Sequence, residues 1–390
     1  MDRADLIPQE HRRERLLLLE LLSGKDVPFD VDPAAFLTIA SKKLHPFLFL
    51  RLNGASLPAV VRDTLSAAYR HGVMRELRRG VELRRIDKAL TAAGVRFLVL
   101  KGPVLAASVY PDRASRTMTD LDFLVAAEDL PRATSAMRTA GYSVPDRFIG
   151  VSLPAGEEPP LIHDDPGGPS IELHTMLDSL PNERDALAAM WPQARRVDVG
   201  HGLTLPALER GEFFAHVAVH MSKHHRFEGE LRSLLDVALL LRSEPLDWDA
   251  LIPEWERRGL AEWIVLTGTL AHVLLGAPLP RAFADRRPPD SALAIAAELL
   301  WVHDTAAVPQ RVTYALAGNV PVPVHDHVAG RTVTPPRGVR GIPVRVARQV
   351  DRLQRVLGAA IRPRAIASAV ALHRKRERLF GIVEKRSVHD

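Results

Sequence analysis

Thr119-Asp120-Leu121-Asp122-Phe123-Leu124-Val125 alternates bulky apolar side chains with two acids, and this alternation decides the fold. Successive side chains of a strand point to opposite faces, so Leu121, Phe123 and Val125 share one face while Asp120, Asp122 and Leu124 share the other. The two carboxylates therefore reach one region of space. Two carboxylates side by side repel unless a cation neutralises them. Mg²⁺ is the natural partner, being hard, octahedral and usually held by one or two carboxylates plus substrate phosphates. A D-x-D alone also describes a solvated strand face, so its neighbours carry the argument.

Upstream, Val95-Arg96-Phe97-Leu98-Val99-Leu100 follows Gly94 as a short apolar run and predicts a buried strand. Lys101-Gly102-Pro103 stops it. Pro103 suits the first turn of a helix, where its missing N–H costs nothing, and that helix is expected to end before Pro111-Asp112. Gly102 lets a phosphate approach the backbone, and a helix N-terminus attracts anions. Arg116, four residues before Asp120, is placed to meet a polyphosphate. Downstream, residues 129–140 form an amphipathic helical pattern closed by Gly141, and residues 143–169 are turn-rich. Ser170-Ile171-Glu172-Leu173-His174 then predicts a third strand carrying a third acid.

The flanks read as helices. Residues 1–93 form an N-terminal helical region with helices expected at 6–22, 34–52 and 60–93, the last with Gly72 and Gly80 as weak points. Residues 94–206 hold the strands. Residues 207–303 form a second helical region that closes the cleft, with helices at 208–225, 230–241, 248–258, 261–276 and 291–303. Residues 304–346, rich in Pro, Val and Gly, are expected to be extended. Residues 347–390 form a basic helical tail, with helices at 347–357 and 363–384. In the second region His216, His220 and His224 recur every four residues, which lines them along one helix face. They suit contacts to nucleotide or acceptor, and equally helix packing. A zinc pair would want the Glu of H-E-x-x-H, which this chain lacks. Lys223 is a candidate phosphate contact, and Arg232 with Asp236 has the spacing of a helical ion pair.

Composition narrows the class. The chain has 390 residues, 46% of them hydrophobic and 5% aromatic, which allows a large core built mainly of aliphatic side chains. It has no cysteine, which excludes disulfides, zinc–thiolate sites, iron–sulfur clusters and thiol nucleophiles, and fits a cytoplasmic protein. The apolar window 263–280 contains His272, two glycines and two prolines, so it predicts a buried helix and no membrane partner. The net charge of +5 conceals an asymmetry: residues 337–390 hold 14 Lys/Arg against 4 Asp/Glu, so the remainder is acidic. Clusters such as Arg374-Lys375-Arg376 make nucleic acid a possible partner. The absence of interleaved aromatic residues does not favour it.

Taken together, Leu100-Lys101-Gly102, Tyr110-Pro111-Asp112, Arg116, Asp120-Leu121-Asp122-Phe123-Leu124-Val125, Glu172-Leu173-His174 and the spaced His216, His220, His224 and Asp236 resemble the DNA polymerase β-like nucleotidyltransferase superfamily. Within it they look like the bacterial group of uncharacterised nucleotidyltransferases, over roughly residues 94–243. The resemblance implies an α+β fold: a polymerase β-like core with a small mixed sheet, flanked by N- and C-terminal helical regions. It implies transfer of a nucleoside monophosphate from an NTP, with Mg²⁺ or Mn²⁺ in a two-metal site. Asp120 and Asp122 would hold both ions, and Glu172 would share the catalytic one and could act as base. Lys101, Gly102, Arg116, His174, His220, Lys223 and His224 would contact nucleotide or acceptor. Most members of the superfamily carry Gly-Gly or Gly-Ser after the first strand; here Lys101 and Arg116 could replace that serine electrostatically. The expected acceptor is a small molecule or peptide. The alternatives are a catalytically silent nucleotide- or partner-binding protein, and a toxin- or antitoxin-type enzyme that nucleotidylates protein or tRNA.

Overall fold

The computed structural model describes residues 2–52, 56–148, 158–165, 167–177, 184–243, 245–302 and 363–387. The expected extended segment 304–346 and the helix at 347–357 lie outside the described residues. The strands are β1 (Phe97–Val99), β2 (Asp120–Val125), β3 (Tyr142–Ser143), β4 (Ile162–His163), β5 (Ser170–His174), β6 (Arg195–Asp198) and β7 (Thr204–Ala207). Five of them form a mixed sheet in the order β5-β2-β1-β7-β6, and β3 pairs with β4 in a small separate sheet.

The register follows from the apolar faces. β1 runs antiparallel to β2, with Val99 opposite Phe123. β5 runs parallel to β2, with Asp120 opposite Ser170, Asp122 opposite Glu172 and Leu124 opposite His174. Leu121, Phe123 and Ile171 are fully buried beneath this pair. A slip of one residue would expose that core face and bury the acids, so burial fixes the pairing.

The sheet has two strands that the sequence reading left out. β6 and β7 form an antiparallel hairpin, and β7 lies parallel to β1 at Val99 and Ala207. Its turn is Gly200-His201-Gly202, all at positive φ. The alternation Val197, Val199, Leu203, Leu205 was visible, but Pro206 argues against a strand by removing a ladder N–H. It is tolerated here near the end of a four-residue strand.

The N-terminal helices are α1 (Arg12–Ser23), α2 (Pro33–Ile39), α3 (Ser41–Arg51) and α4 (Ala59–Ala92). The single helix expected at 34–52 is thus two, broken at Ser41, whose φ of 48° leaves the right-handed region. α4 runs unbroken through Gly72 and Gly80, which are points of close approach rather than weak points. A Cβ on Gly72 would overlap the Ala114 carbonyl oxygen, and one on Gly80 would overlap the His201 ring. α5 (Gly102–Ser108) follows β1, and α6 (Leu130–Thr139) follows β2 and packs on α4.

Beyond α7 (Arg184–Met190) come α8 (Arg210–Val219), α9 (Leu231–Arg242), α10 (Trp248–Arg257), α11 (Ala261–Leu275), α12 (Arg281–Ala284), α13 (Asp290–Leu300) and a final helix, α14 (Pro363–Ser387). α11 is apolar almost all round, so it sits at the centre of this layer. It packs against α1, α8, α9, α10, α13 and α14 and ends at Gly276 in the left-handed conformation. No described helix is long and apolar enough to cross a membrane. α14 contributes Arg376, buried against Glu228, while Lys375 pairs with Glu298 and Arg386 lies 3.6 Å from Glu262.

Gly72→Ala should lower stability by about 1–3 kcal/mol in urea melts, because overlap with a backbone carbonyl outweighs the roughly 1 kcal/mol gain in helix propensity. An unchanged or raised midpoint would refute the close-approach account.

Candidate active site

The site forms where β2, β5 and the end of β1 meet the turn after α8. Parallel pairing in register sets the Asp122 and Glu172 side chains next to each other on one face, and His174 follows two residues along β5. His174 Nε2 lies 3.0 Å from Asp122 Oδ1 and 3.7 Å from Glu172 Oε2. One ligand atom from each of Asp122, Glu172 and His174 lies within 4.8 Å of the others, a spacing that could hold a metal ion. Asp120 is half-buried on the same strand face but outside this trio, and Thr119 Oγ1 donates to it at 3.5 Å.

Charge is crowded here. Burial pushes the Glu172 carboxyl up to about 7, and the negative charges of Asp122 and then Asp120 add to the shift. Burial would also raise Asp122, but the Lys101 ammonium and the hydrogen bond from His174 hold it well below the usual carboxylate range. The donor set thus fits a divalent cation: it has two carboxylates and an imidazole, and burial beside two other acids raises one of the carboxyls to about 7.

Lys101 lies between β1 and α5, as the N-cap of the helix, and supplies the nearest cation. Its backbone sits at φ 40° and ψ −102°, a region that L side chains rarely occupy, and this conformation turns the chain from strand to helix. Its Nζ lies 3.3 Å from Asp122 Oδ2 and 3.3 Å from His220 Nε2. An ammonium only donates, so His220 Nε2 accepts. His225 Nε2 lies 3.0 Å from the same nitrogen. Gly102 is required by packing, since a Cβ there would overlap Met118 Sδ and crowd Arg116 Nη1.

His216, His220 and His224 follow one another along one face as their spacing predicts, but the regular helix ends at Val219. α8 gives way to a π turn, His220–His224, closed by a hydrogen bond from the His225 N–H to the His220 carbonyl. The wider turn brings His225 onto His220, while His224 stacks on the His220 ring with centroids 4.6 Å apart. His216 is buried behind them, its ring 5.9 Å from that of His220. Desolvation pushes His225 down to about 4 against the opposing charge of Glu230. Burial would raise Glu230 itself, but His225, Lys43 and Arg232 draw it down to about 2. The sequence reading missed His225 and Glu230, because a regular α-helix would point His225 away. Lys223 is half-buried and takes no part in the contacts that tie Lys101, His220, His224 and His225 together.

Arg116 and Asp236 have other partners than expected. Arg116 is buried and donates from Nε and Nη2 to Asp236 at 2.9 and 2.8 Å, and Tyr110 Oη donates to the same carboxylate at 2.7 Å. Much of the guanidinium read as a polyphosphate contact is therefore committed to a carboxylate. Arg232, expected to pair with Asp236 along the helix, instead donates to the Thr117 carbonyl at 2.7 Å. These three bonds tie the loop before β2 to α9.

A mixed α+β fold with acids gathered on adjacent strands under a helical layer is consistent with a nucleotidyltransferase fold. The chain belongs to the uncharacterised nucleotidyltransferase family, whose profile matches residues 30–276. The match takes in α2 to α4 and runs through α11, beyond both ends of the 94–243 stretch that carries the sequence resemblance. Membership assigns nucleotidyl transfer as the general class of reaction. No curated protein matches the chain.

Two outcomes follow from the charges. Glu172 keeps its proton up to about pH 7, so a metal ion must displace that proton below this pH. Mn²⁺ affinity should rise with pH and level off above about 7, with proton release seen by calorimetry in buffers of differing ionisation enthalpy; an affinity flat across this range would refute it. The same raised pKa means that the metal-free fold loses stability as pH rises from about 4.5 to about 7, because the unfolded chain ionises first. Separately, Asp236→Ala leaves Arg116 buried without its carboxylate and should cost about 3–5 kcal/mol in denaturant melts, while a cost near zero would show that the pair is not structural.

Proposed function

We propose that this chain transfers a nucleoside monophosphate from an NTP to a small-molecule or peptide acceptor and releases pyrophosphate, with the acids of the polymerase β-like type. The observation that carries this reading is the convergence of Asp122, Glu172 and His174 within 4.8 Å, on strands held in register. Asp122 and Glu172 would hold the metal, joined by His174 or by Asp120 from the same strand face. When bound, Mg²⁺ or Mn²⁺ supplies Lewis-acid stabilisation of charge on the phosphate oxygens.

The chain's own groups do the rest. The acceptor oxygen attacks the α-phosphorus, the bond from that phosphorus to the bridging oxygen breaks, and pyrophosphate leaves with the electron pair. The acceptor proton needs a base. Glu172 would take that role as a carboxylate, once its own proton has been displaced. Lys101 and the His220–His224 turn lie on the side of Asp122 opposite His174 and suit the anionic triphosphate. Lys223 and the remaining N–H groups of Arg116 would join them, with Gly102 at the head of α5. Part of the tail's charge is already matched, since Arg376, Lys375 and Arg386 face Glu228, Glu298 and Glu262.

A second reading keeps the fold for nucleotide sensing without transfer; the observation in its favour is the Lys101 ammonium already set against Asp122. Incubation with each α-labelled NTP, Mn²⁺ and a cell extract separates the two. Transfer of label to small molecules or peptides, reduced at least about 100-fold by Asp122→Asn, is the expected result. Nucleotide binding without transfer would favour the sensor, and label in protein or RNA would move the acceptor to a macromolecule. If no NTP binds with metal and Asp122→Asn changes nothing, the proposal fails.

A further inference from the structure

We infer that Lys101 is a resident cation that holds one of the two cation positions around Asp122, so that the site takes one divalent ion where a two-metal site takes two. The inference rests on the metal reading above and deepens it.

A carboxylate that bridges two ions gives one oxygen to each. The Asp122 oxygens are divided in that manner. Oδ1 faces His174 and, beyond it, Glu172, the group whose ligand atoms converge. Oδ2 faces the Lys101 ammonium at 3.3 Å. The charge on that second side is therefore delivered by the chain itself.

Lys101 is not a surface lysine that happens to reach an acid. Its side chain is 15% exposed, and its Nζ is also tethered to His220 on the opposite wall. The backbone adds an independent indication. At φ 40° and ψ −102° a non-glycine residue is strained, whereas glycine would adopt the conformation freely. A lysine kept at a position that suits glycine is explained if its ammonium on Asp122 offsets the strain. The pairing also keeps the buried Asp122 carboxylate compensated before any ion arrives, which an unpaired buried charge would not tolerate.

The test counts ions on the full-length chain. Mn²⁺ is titrated alone and with each α,β-methylene NTP analogue, free ion is read by electron paramagnetic resonance, and the bound signal is inspected for the spectrum of a coupled Mn²⁺ pair. The expected result is one Mn²⁺ per chain with or without analogue, and two, with the coupled-pair spectrum, in Lys101→Gly. That variant relieves the backbone strain; Lys101→Met, which keeps the side-chain bulk without the charge, should also admit a second ion. Two ions in the unaltered chain would overturn the inference while leaving the proposed transfer standing. One ion in the unaltered chain and in both variants would overturn the role of Lys101. No bound Mn²⁺ under any condition would overturn the inference and the metal reading together.

Discussion

The parallel register of β2 and β5 is the constraint on which the rest depends. It sets Asp122 directly beside Glu172, and like charges placed opposite each other on a sheet are unfavourable. The other face of the same strands is fully buried, so the pairing cannot slide to relieve the repulsion without giving up the core. Apolar burial thereby holds two acids in a proximity they would not choose. The polar surroundings follow from this: the raised Glu172, the hydrogen bond from His174, and an ammonium brought in through a strained backbone are responses to charge that the hydrophobic side has forced together.

Much of this was legible in the sequence because it depends on short, local patterns. The alternation in residues 119–125 places two acids on one strand face without reference to any other part of the chain. Ser170-Ile171-Glu172-Leu173-His174 is legible for the same reason, and the glycine-bounded run before Lys101 marks the third strand. The α+β character, the flanking helices and the buried helix ending at Gly276 also follow from periodicity and from turn residues.

What was not legible depends on partners distant in sequence or on departures from regular geometry. Asp236 could pair with Arg232 one turn away or with Arg116, which is 120 positions distant, and only the packing of α9 on the β2 loop selects the latter. Gly72 and Gly80 look like weak helix formers until the Ala114 carbonyl and the His201 ring are seen against them. The π turn changes which histidines meet, and nothing in a count of residues announces the extra residue in a turn. The β6–β7 hairpin was hidden by Pro206, whose missing N–H the strand end accommodates. The unusual lysine after β1 was visible as a letter, but its meaning depends on a backbone conformation and two contacts that no pattern encodes.

The three hydrogen bonds between the β2 loop and α9 have a mechanical consequence. Arg116 grips Asp236 with two N–H groups in a buried setting, and Arg232 reaches back to the Thr117 carbonyl. The strand bearing Asp120 and Asp122 is thus riveted to the helix that follows the histidine turn, and the two behave as one stiff jaw. β5, which bears Glu172 and His174, is held on both edges: β2 pairs with it along its length, and on the other side Leu161 and Ile171 exchange two backbone hydrogen bonds of 2.8 Å. A molecule entering this cleft would meet walls that keep their shape.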